Sequence, residues 1–215
     1  MLKLLIFFSL LSISQNILCE TPIVLENGKD NYEIGLNLKF FEDKSGKLTI
    51  DDVNDPKWAS KFIKSKKKVS NFGFSDSTFW VKFTVINNSN NSFWFVNQDA
   101  SITEKIDFFK KNKDHWDKIS TGTDRSFRTR DIEDKGFIFY IKPEKKVTYF
   151  LKIQSTMPIV NLSISSPKYL MPKRTWGNLI AGLFFGLIIS FFLLNIFIFV
   201  STRNLSYLYY SLYVI

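Results

Sequence analysis

Two patterns of hydrophobic and polar residues divide the chain, one before about residue 174 and one after it. In the first part, apolar and polar residues alternate along short segments that are separated by turns rich in Asn, Ser and Pro. Alternation with a period of two is typical of half-buried β-strands. The predicted strands cover residues 36–40, 79–86, 93–96, 106–110, 137–141, 147–154 and 160–165. Seven or eight short strands of this kind predict a mainly β fold, an antiparallel β-sandwich.

One short helix is predicted after the first of these strands. Asp55 is a favourable N-cap, and Pro56 stands at the first helical position, where proline is well tolerated. Trp58 and Phe62 follow four residues apart and would together cover an end of the sandwich. The preceding residues 49–52 (TIDD) resemble a capping box with Asp in place of Glu.

The second pattern is the apolar run at residues 176–200 (WGNLIAGLFFGLIISFFLLNIFIFV), which carries no charged side chain. A helix of about 25 residues, at ~1.5 Å each, is long enough for a ~30 Å hydrocarbon core. Lys173 and Arg174 precede the run and Arg203 follows it. A buried helix of a soluble protein is the alternative, but such a long helix that is apolar on every side is rare. We therefore predict a first membrane-spanning helix at residues 175–201.

The first 19 residues are predicted to be a signal peptide. Lys3 is followed by an apolar stretch at residues 4–13, which is short for a membrane span. We expect cleavage after Cys19, with lipidation of Cys19 or retention of the segment as a membrane anchor as the alternatives. Export places residues 20–174 outside the membrane, and the apolar helix then runs inward.

Charge is concentrated in the exported part of the chain, which holds 27 of the 29 Lys and Arg residues and all 20 Asp and Glu residues. Its net charge of about +7 favours anionic lipid head groups or an acidic ligand as partners, with a solvated surface that has no partner as the alternative. Nucleic acid is not expected as a partner of an exported domain. Because the chain has one Cys and one His, an internal disulfide and a His/Cys metal site are excluded, and no cofactor is expected.

Candidate functional residues point to binding rather than catalysis. The sequence has no glycine-rich phosphate loop, no His-Glu-x-x-His segment and no nucleophile elbow, and His115 lies in a turn-like stretch. Three arginines within six residues suit recognition of a carboxylate or sulfate, although a solvated hairpin loop balanced by nearby acids is an equally simple interpretation. Trp116 stands among charged residues, where it would stack on a ligand ring or close a hairpin. The candidate ligand contacts are Asp76, Trp116, Arg125, Arg128 and Arg130.

Three segments carry a family resemblance: residues 41–53 (FEDKSGKLTIDDV), residues 71–83 (NFGFSDSTFWVKF) and residues 165–167 (SSP) before the apolar helix. In this order they resemble the extracellular domain, of the second type, of bacterial seven-transmembrane receptors with diverse intracellular signalling modules. The resemblance covers about residues 36–215. Residues 206–210 (SYLYY) resemble the beginning of the second span in that family, so residues 205–215 are expected to start a second transmembrane helix.

The resemblance implies a jelly-roll-like sandwich, like that of carbohydrate-binding modules, at residues 20–170. It also implies a sensor of a small-molecule ligand on the periplasmic side of a bacterial inner membrane. The lipid bilayer and a second copy of the chain, in a homodimer, are further candidate partners. The chain would be a truncated fragment of a receptor, without its intracellular output module. Lys82 stands where relatives commonly have Arg, and Arg130 precedes Asp131 where relatives have an Arg-Pro step.

The leading functional hypothesis is therefore a membrane-tethered periplasmic sensory domain that binds a carbohydrate or an acidic small molecule and is not itself an enzyme. An exported structural or partner-docking module without a small ligand is the alternative. An exported hydrolase is a third hypothesis, because two carboxylates from distant strands can converge in a cleft.

Overall fold

A computed structural model describes residues 21–113, 115–144 and 146–214. The predicted signal peptide at residues 1–19, including Cys19, lies outside the described residues. The strands are β1 Ile23–Leu25, β2 Asn31–Glu33, β3 Lys39–Asp43, β4 Ile63–Lys64, β5 Ser70–Asn71, β6 Thr78–Asn87, β7 Trp94–Gln98, β8 Lys105–Asn112, β9 His115–Thr121, β10 Phe137–Ile141, β11 Lys146–Gln154, β12 Ile159–Val160 and β13 Leu162–Ser165. The α-helices are α1 Ile50–Asn54, α2 Pro56–Ala59, α3 Pro167–Thr202 and α4 Leu205–Val214; Gly35–Asn37 and Phe127–Thr129 form 3₁₀ turns.

The strands form two main sheets, which confirms the predicted mainly β, antiparallel architecture. The larger sheet has the order β4-β3-β6-β11-β8-β9, and β1 pairs with residues 85–87 at the C-terminal end of β6. The smaller sheet has the order β10-β7-β13-β2, and β5 and β12 form a separate pair. All of these pairings are antiparallel except that of β1 with β6. The long central strands β6 and β11 match the segments in which the alternation of apolar and polar residues is most regular.

The main core lies between the two sheets and is strongly aromatic. Phe108 of β8 stacks on Phe139 of β10, with ring centroids 4.6 Å apart, and on Tyr149 of β11 at 5.7 Å. Trp94 of β7 is fully buried in the same cluster. Burial of each such side chain contributes about 1.5–3 kcal/mol to folding. These rings come from both sheets and therefore hold them together.

A second layer covers the outer face of the larger sheet. The Thr49 hydroxyl and the Asp52 carboxylate form a capping box at the start of α1, and the Asp55 side chain accepts from Lys57 N at the start of α2. The predicted cap at Asp55 is thus confirmed, and a separate helix precedes it. Trp58 and Phe62 both contact Phe41, at 5.2 and 5.8 Å between ring centroids. They cover the outer face of the sheet rather than an end of the sandwich, because this face presents apolar side chains of its own: Trp80, Phe109 and Phe150.

The helix α3 follows β13 without a connecting loop. Ser166 is its N-cap; the Ser166 hydroxyl donates to the Asp30 carboxylate at 2.6 Å, and Ser166 N donates to Asp30 O at 2.8 Å. One turn later, Leu170 packs against Phe95 and Ile138 on the outer face of the smaller sheet. The first turns of the helix are therefore part of the folded domain.

The helix α3 has 36 residues, a length of about 54 Å. Among the described residues it is the one helix that is long and apolar enough to span a membrane. It contains the whole predicted span and begins eight residues before it. Arg203, in the left-handed conformation with φ 58°, separates it from α4. The assignment of α4 to a second span stays a prediction.

Candidate functional site between the smaller sheet and the membrane helix

A cleft of about 500 Å³ lies between the smaller sheet, the segment before β10 and the first turns of α3. It is larger than two further clefts, of about 240 and 360 Å³, which are described below. We call it the juxtamembrane cleft. It is lined by Asn97, Gln98, Asp99, Ser101, Phe127, Glu133, Asp134, Lys135, Gly136, Ile138, Leu170, Lys173, Arg174, Gly177 and Asn178.

The sheet wall of the cleft contains Asn97, which is 5% exposed. The Asn97 Nδ2 atom donates to Ser163 Oγ at 3.3 Å and to Ser165 Oγ at 2.9 Å, and these bonds set the orientation of the amide. The Asn97 Oδ1 atom is buried and has no hydrogen-bond partner among the described residues. An unpaired buried acceptor lowers stability, and this oxygen is closed off from the open part of the cleft.

Arg130 organises the second wall, the segment of residues 131–136. Its Nη1 atom donates to the carbonyl oxygens of Asp134, Lys135 and Gly136. The guanidinium also lies over the rings of Phe127 and Phe137, 4.6 and 4.7 Å from their centroids. Hydrogen bonds to several carbonyls and stacking on two rings hold this wall in one shape.

The third wall is α3 itself. Leu170, Lys173, Arg174 and Gly177 recur at helical spacing and so share one face of the helix. Arg174 Nε lies 2.6 Å from Asp134 Oδ2, and Arg174 Nη2 donates to Glu133 O at 2.5 Å. A direct ion pair at the cleft therefore joins the sandwich to the helix, next to the position where the uncharged run begins.

The three predicted arginines do not form one site. Arg125 Nη1 donates to Asp107 Oδ1 at 2.6 Å and to the carbonyls of Ile106 and Thr121, so its charge is used inside the domain. Arg130 is used in the same way, within the wall of the cleft. Arg128 is exposed, and within the described parts of the chain its side chain makes no hydrogen bond or ion pair. Their role in ligand binding stays a prediction.

Asp107 is the ion-pair partner that holds Arg125 in place. Burial by itself would raise the pKa of this carboxyl, but hydrogen bonds from Lys118, Arg125 and Ser120 outweigh the burial and lower the pKa overall. The ion pair with Lys118 measures 2.9 Å and that with Arg125 measures 2.6 Å. The charged form of Asp107 is therefore a structural element of the β8–β9 hairpin.

Asp76 and Trp116 lie apart from the juxtamembrane cleft. Asp76 is exposed and lines the cleft of about 240 Å³, together with Glu104, Lys105 and Asp124. Burial would raise the pKa of Glu104, but hydrogen bonds from Ser155 and Thr156 prevail and lower it. Trp116 stands on β9, on the outer face of the larger sheet, where its ring meets Phe150 edge-on at 5.5 Å.

The cleft of about 360 Å³ lies beside β3 and β4. Phe72 forms its aromatic part, stacked on Phe79 at 4.2 Å and edge-on to Phe40 at 5.0 Å. Lys64, Lys66 and Lys67 also line it. Its lining includes no residue of α3, so its occupation would not act directly on this helix.

No cluster of three or more His, Cys, Asp or Glu residues suited to a metal ion occurs in the described segments. The juxtamembrane cleft offers instead acidic, basic and amide side chains together with one half-exposed aromatic ring. Sequence reasoning missed its polar residues on the sheet and helix, because β7 and α3 are far apart in the chain and neither segment carries a binding motif.

Comparison with known proteins agrees with this architecture. No curated protein matches the chain. The sequence profile of the family described as 7TMR-DISM extracellular 2 matches residues 35–165, which is more than half of the chain. The match ends with β13, directly before α3. The chain therefore belongs to the 7TMR-DISM extracellular 2 family, the extracellular domains of 7TMR-DISM receptors, and its domain is followed by a candidate membrane helix.

Proposed function

We propose that the chain is the periplasmic sensory part of a receptor in a bacterial inner membrane, and that its small-molecule ligand binds in the juxtamembrane cleft. The observation that carries this proposal is that one wall of the cleft is α3. A ligand that touches both the sandwich and the helix changes their relative position directly, without a longer chain of contacts.

The lining of the cleft favours a neutral, hydroxyl-rich ligand such as a saccharide over an acidic one. Three carboxylates, Asp99, Glu133 and Asp134, are matched by three cations, Lys135, Lys173 and Arg174, so the cleft has no surplus of positive charge. Side-chain amides and carboxylates bind hydroxyl groups well.

Binding would act on the helix through the ion pair between Arg174 and Asp134. Both side chains are about three-quarters buried, at 26% and 23% exposure, so a ligand hydroxyl that enters the cleft competes with or reinforces their contact. Either change alters the preferred position of α3 against the sheet. A ligand can shift this equilibrium only by its difference in affinity for the two positions.

The test uses the chain in phosphatidylcholine nanodiscs and measures thermal unfolding in the presence of neutral mono- and oligosaccharides and, separately, of dicarboxylates. We expect a saccharide to raise Tm, and we expect Asp99→Ala and Asn178→Ala to abolish the increase. Asp51→Ala, an exposed acid on α1, is the matched control and should retain it. A response to dicarboxylates alone would replace the saccharide with an acidic ligand, whereas a response that survives both cleft variants would place the ligand elsewhere.

A further inference from the structure

One end of the sandwich faces the direction in which the membrane helix leaves the domain. In the larger sheet this end is marked by the paired residues Asp43, Thr78, Gln154 and Lys105. In the smaller sheet it is marked by Phe137, Gln98 and Leu162. We call it the membrane-side end.

The course of α3 identifies this end. The helix begins after Ser165, which pairs with Phe95 near the opposite end of the smaller sheet. It then crosses the outer face, so that Gly177 and Asn178 line the same cleft as Ser101. The uncharged run begins with Trp176, which is 65% exposed. The helix therefore enters the membrane level with the loops of the membrane-side end.

Three of those loops carry a large, exposed apolar side chain: Phe74 between β5 and β6, Ile102 between β7 and β8, and Phe127 between β9 and β10. They are 83%, 57% and 51% exposed, respectively. Their loops are held to neighbouring segments, since Ser75 N donates to Thr156 O and Thr123 N donates to Thr103 O. The apolar side chains thus project from fixed backbone.

Depth along the helix supports a lipid neighbour for these residues. Phe127 lines the cleft beside Gly177, and Ile102 directly follows Ser101, which also lines it. Both side chains therefore lie close to the depth of Trp176, the first residue of the uncharged run. Aromatic and aliphatic side chains at this depth gain by entering the boundary between head groups and acyl chains.

We propose that the membrane-side end docks on the outer surface of the bilayer, with Phe74, Ile102 and Phe127 inserted among the lipid head groups. Three loops of the domain then contact the membrane in addition to α3, and these contacts limit how far the domain tilts relative to the helix. The acidic residues around these loops, Asp76, Asp99, Glu104 and Asp124, outnumber the basic Lys105 and Arg128, so these residues offer no surplus of positive charge to anionic lipid. The attraction is therefore apolar and does not require anionic lipid.

The test places an environment-sensitive fluorophore at single cysteines, Phe74→Cys, Ile102→Cys or Phe127→Cys, in a Cys19→Ser background of the full chain in nanodiscs. Ile63→Cys is the matched control, because Ile63 is 71% exposed but lies on the edge strand β4. Asn90→Cys, in the turn between β6 and β7, reports the opposite end. Quenching by aqueous iodide is compared with quenching by lipids spin-labelled near the head group, in pure phosphatidylcholine and with phosphatidylglycerol added.

We expect the three loop labels to be quenched weakly by iodide and strongly by the spin-labelled lipids in both lipid mixtures. The labels at positions 63 and 90 should be quenched strongly by iodide and weakly by the lipids. Lipid quenching only with phosphatidylglycerol would make the contact electrostatic and overturn the proposal. Protection from iodide without lipid quenching would overturn it in favour of a second copy covering the loops. The labels at positions 74 and 102 do not line the juxtamembrane cleft, so their outcomes do not depend on a ligand there.

A combined variant tests the three side chains themselves. Phe74→Ser, Ile102→Ser and Phe127→Ser together should lower thermal stability in detergent no more than Phe127→Ser alone, because Phe74 and Ile102 are exposed and only Phe127 stacks on Arg130. In nanodiscs, a label at position 90 should show faster rotational motion of the domain than in the parent chain or in Ile63→Ser. Unchanged motion in the triple variant would contradict the proposal.

Discussion

Arg174 on α3 and Asp134 in the segment before β10 form an ion pair of 2.6 Å between Nε and Oδ2. They are 40 positions apart in the chain, and the pair connects the rigid segment organised by Arg130 to the helix just before its uncharged run. Leu170 and the cap at Ser166 fix the helix at its start, so this pair is the next point of attachment along α3.

The coupling between these two residues can be measured with a double-mutant cycle of Arg174→Ala and Asp134→Ala. We expect an interaction free energy of about 1 kcal/mol in the unfolding of the chain in detergent, since the pair is partly buried. A label pair across the cleft should also report a broader distance distribution in either single variant. Purely additive effects of the two substitutions would contradict an energetic link.

Arg128 and Arg130 should behave oppositely although they are two positions apart. Arg130→Ala removes several hydrogen bonds to carbonyl groups and the stacking on two rings, so we expect a loss of about 2–3 kcal/mol in the free energy of unfolding. Arg128→Ala should change it by less than about 0.5 kcal/mol, because the side chain is exposed. Denaturant unfolding of both variants measures the difference, and equal losses would show that the guanidinium of Arg130 has no special structural role.

Gly122 and Gly28 form a matched pair for backbone strain. Both have positive φ, at 143° and 84°, but a Cβ at Gly122 would lie 2.0 Å from Glu104 O, whereas a Cβ at Gly28 would meet nothing within 4 Å. We expect Gly122→Ala to lower Tm far more than Gly28→Ala, because the first change combines strain with a clash against backbone. Similar Tm values would indicate that the loop at Gly122 rearranges freely.

Asp107 should make the domain sensitive to acid. Its pKa is lowered in the folded state, because hydrogen bonds from Lys118, Arg125 and Ser120 outweigh the effect of burial. The stabilisation is therefore fully present above the unfolded-state pKa of about 3.9 and is lost as the pH falls through the lower folded-state pKa. Asp107→Asn should reduce stability at pH 7 and flatten the dependence below about pH 4. Unfolding curves from pH 7 to pH 2 measure both effects, and Asp51→Asn serves as the exposed control.

Local periodicity accounts for the parts of the fold that could be predicted. The alternation in β6 and β11 specifies strands because every second side chain must enter the core. The strand β9 was not predicted, since His115, Trp116, Asp117 and Lys118 show no such alternation. Pairing of His115–Thr121 with β8 decides its conformation. The predicted strand at residues 36–40 begins with a 3₁₀ turn instead, and β3 starts at Lys39.

The candidate site shows a different limit. The three arginines were recognised as a group because they are close in sequence, but hydrogen bonding separates their roles. Arg125 is paired with Asp107 across the hairpin, and Arg130 binds the carbonyls of its own segment. Which cation remains available to a ligand depends on neighbours that become close only when the strands pair.

The sequence by itself determined that the chain has a β-sandwich, an apolar helix long enough for a membrane and a family resemblance, because these depend on the order of residues over short stretches. Only the tertiary structure decided that α3 begins inside the domain, that Arg174 meets Asp134, and that Asn97 and Asn178 line one cleft. The reason is physical: contacts between distant segments follow from how the sheets and helix pack their apolar faces, and local periodicity does not specify which faces meet.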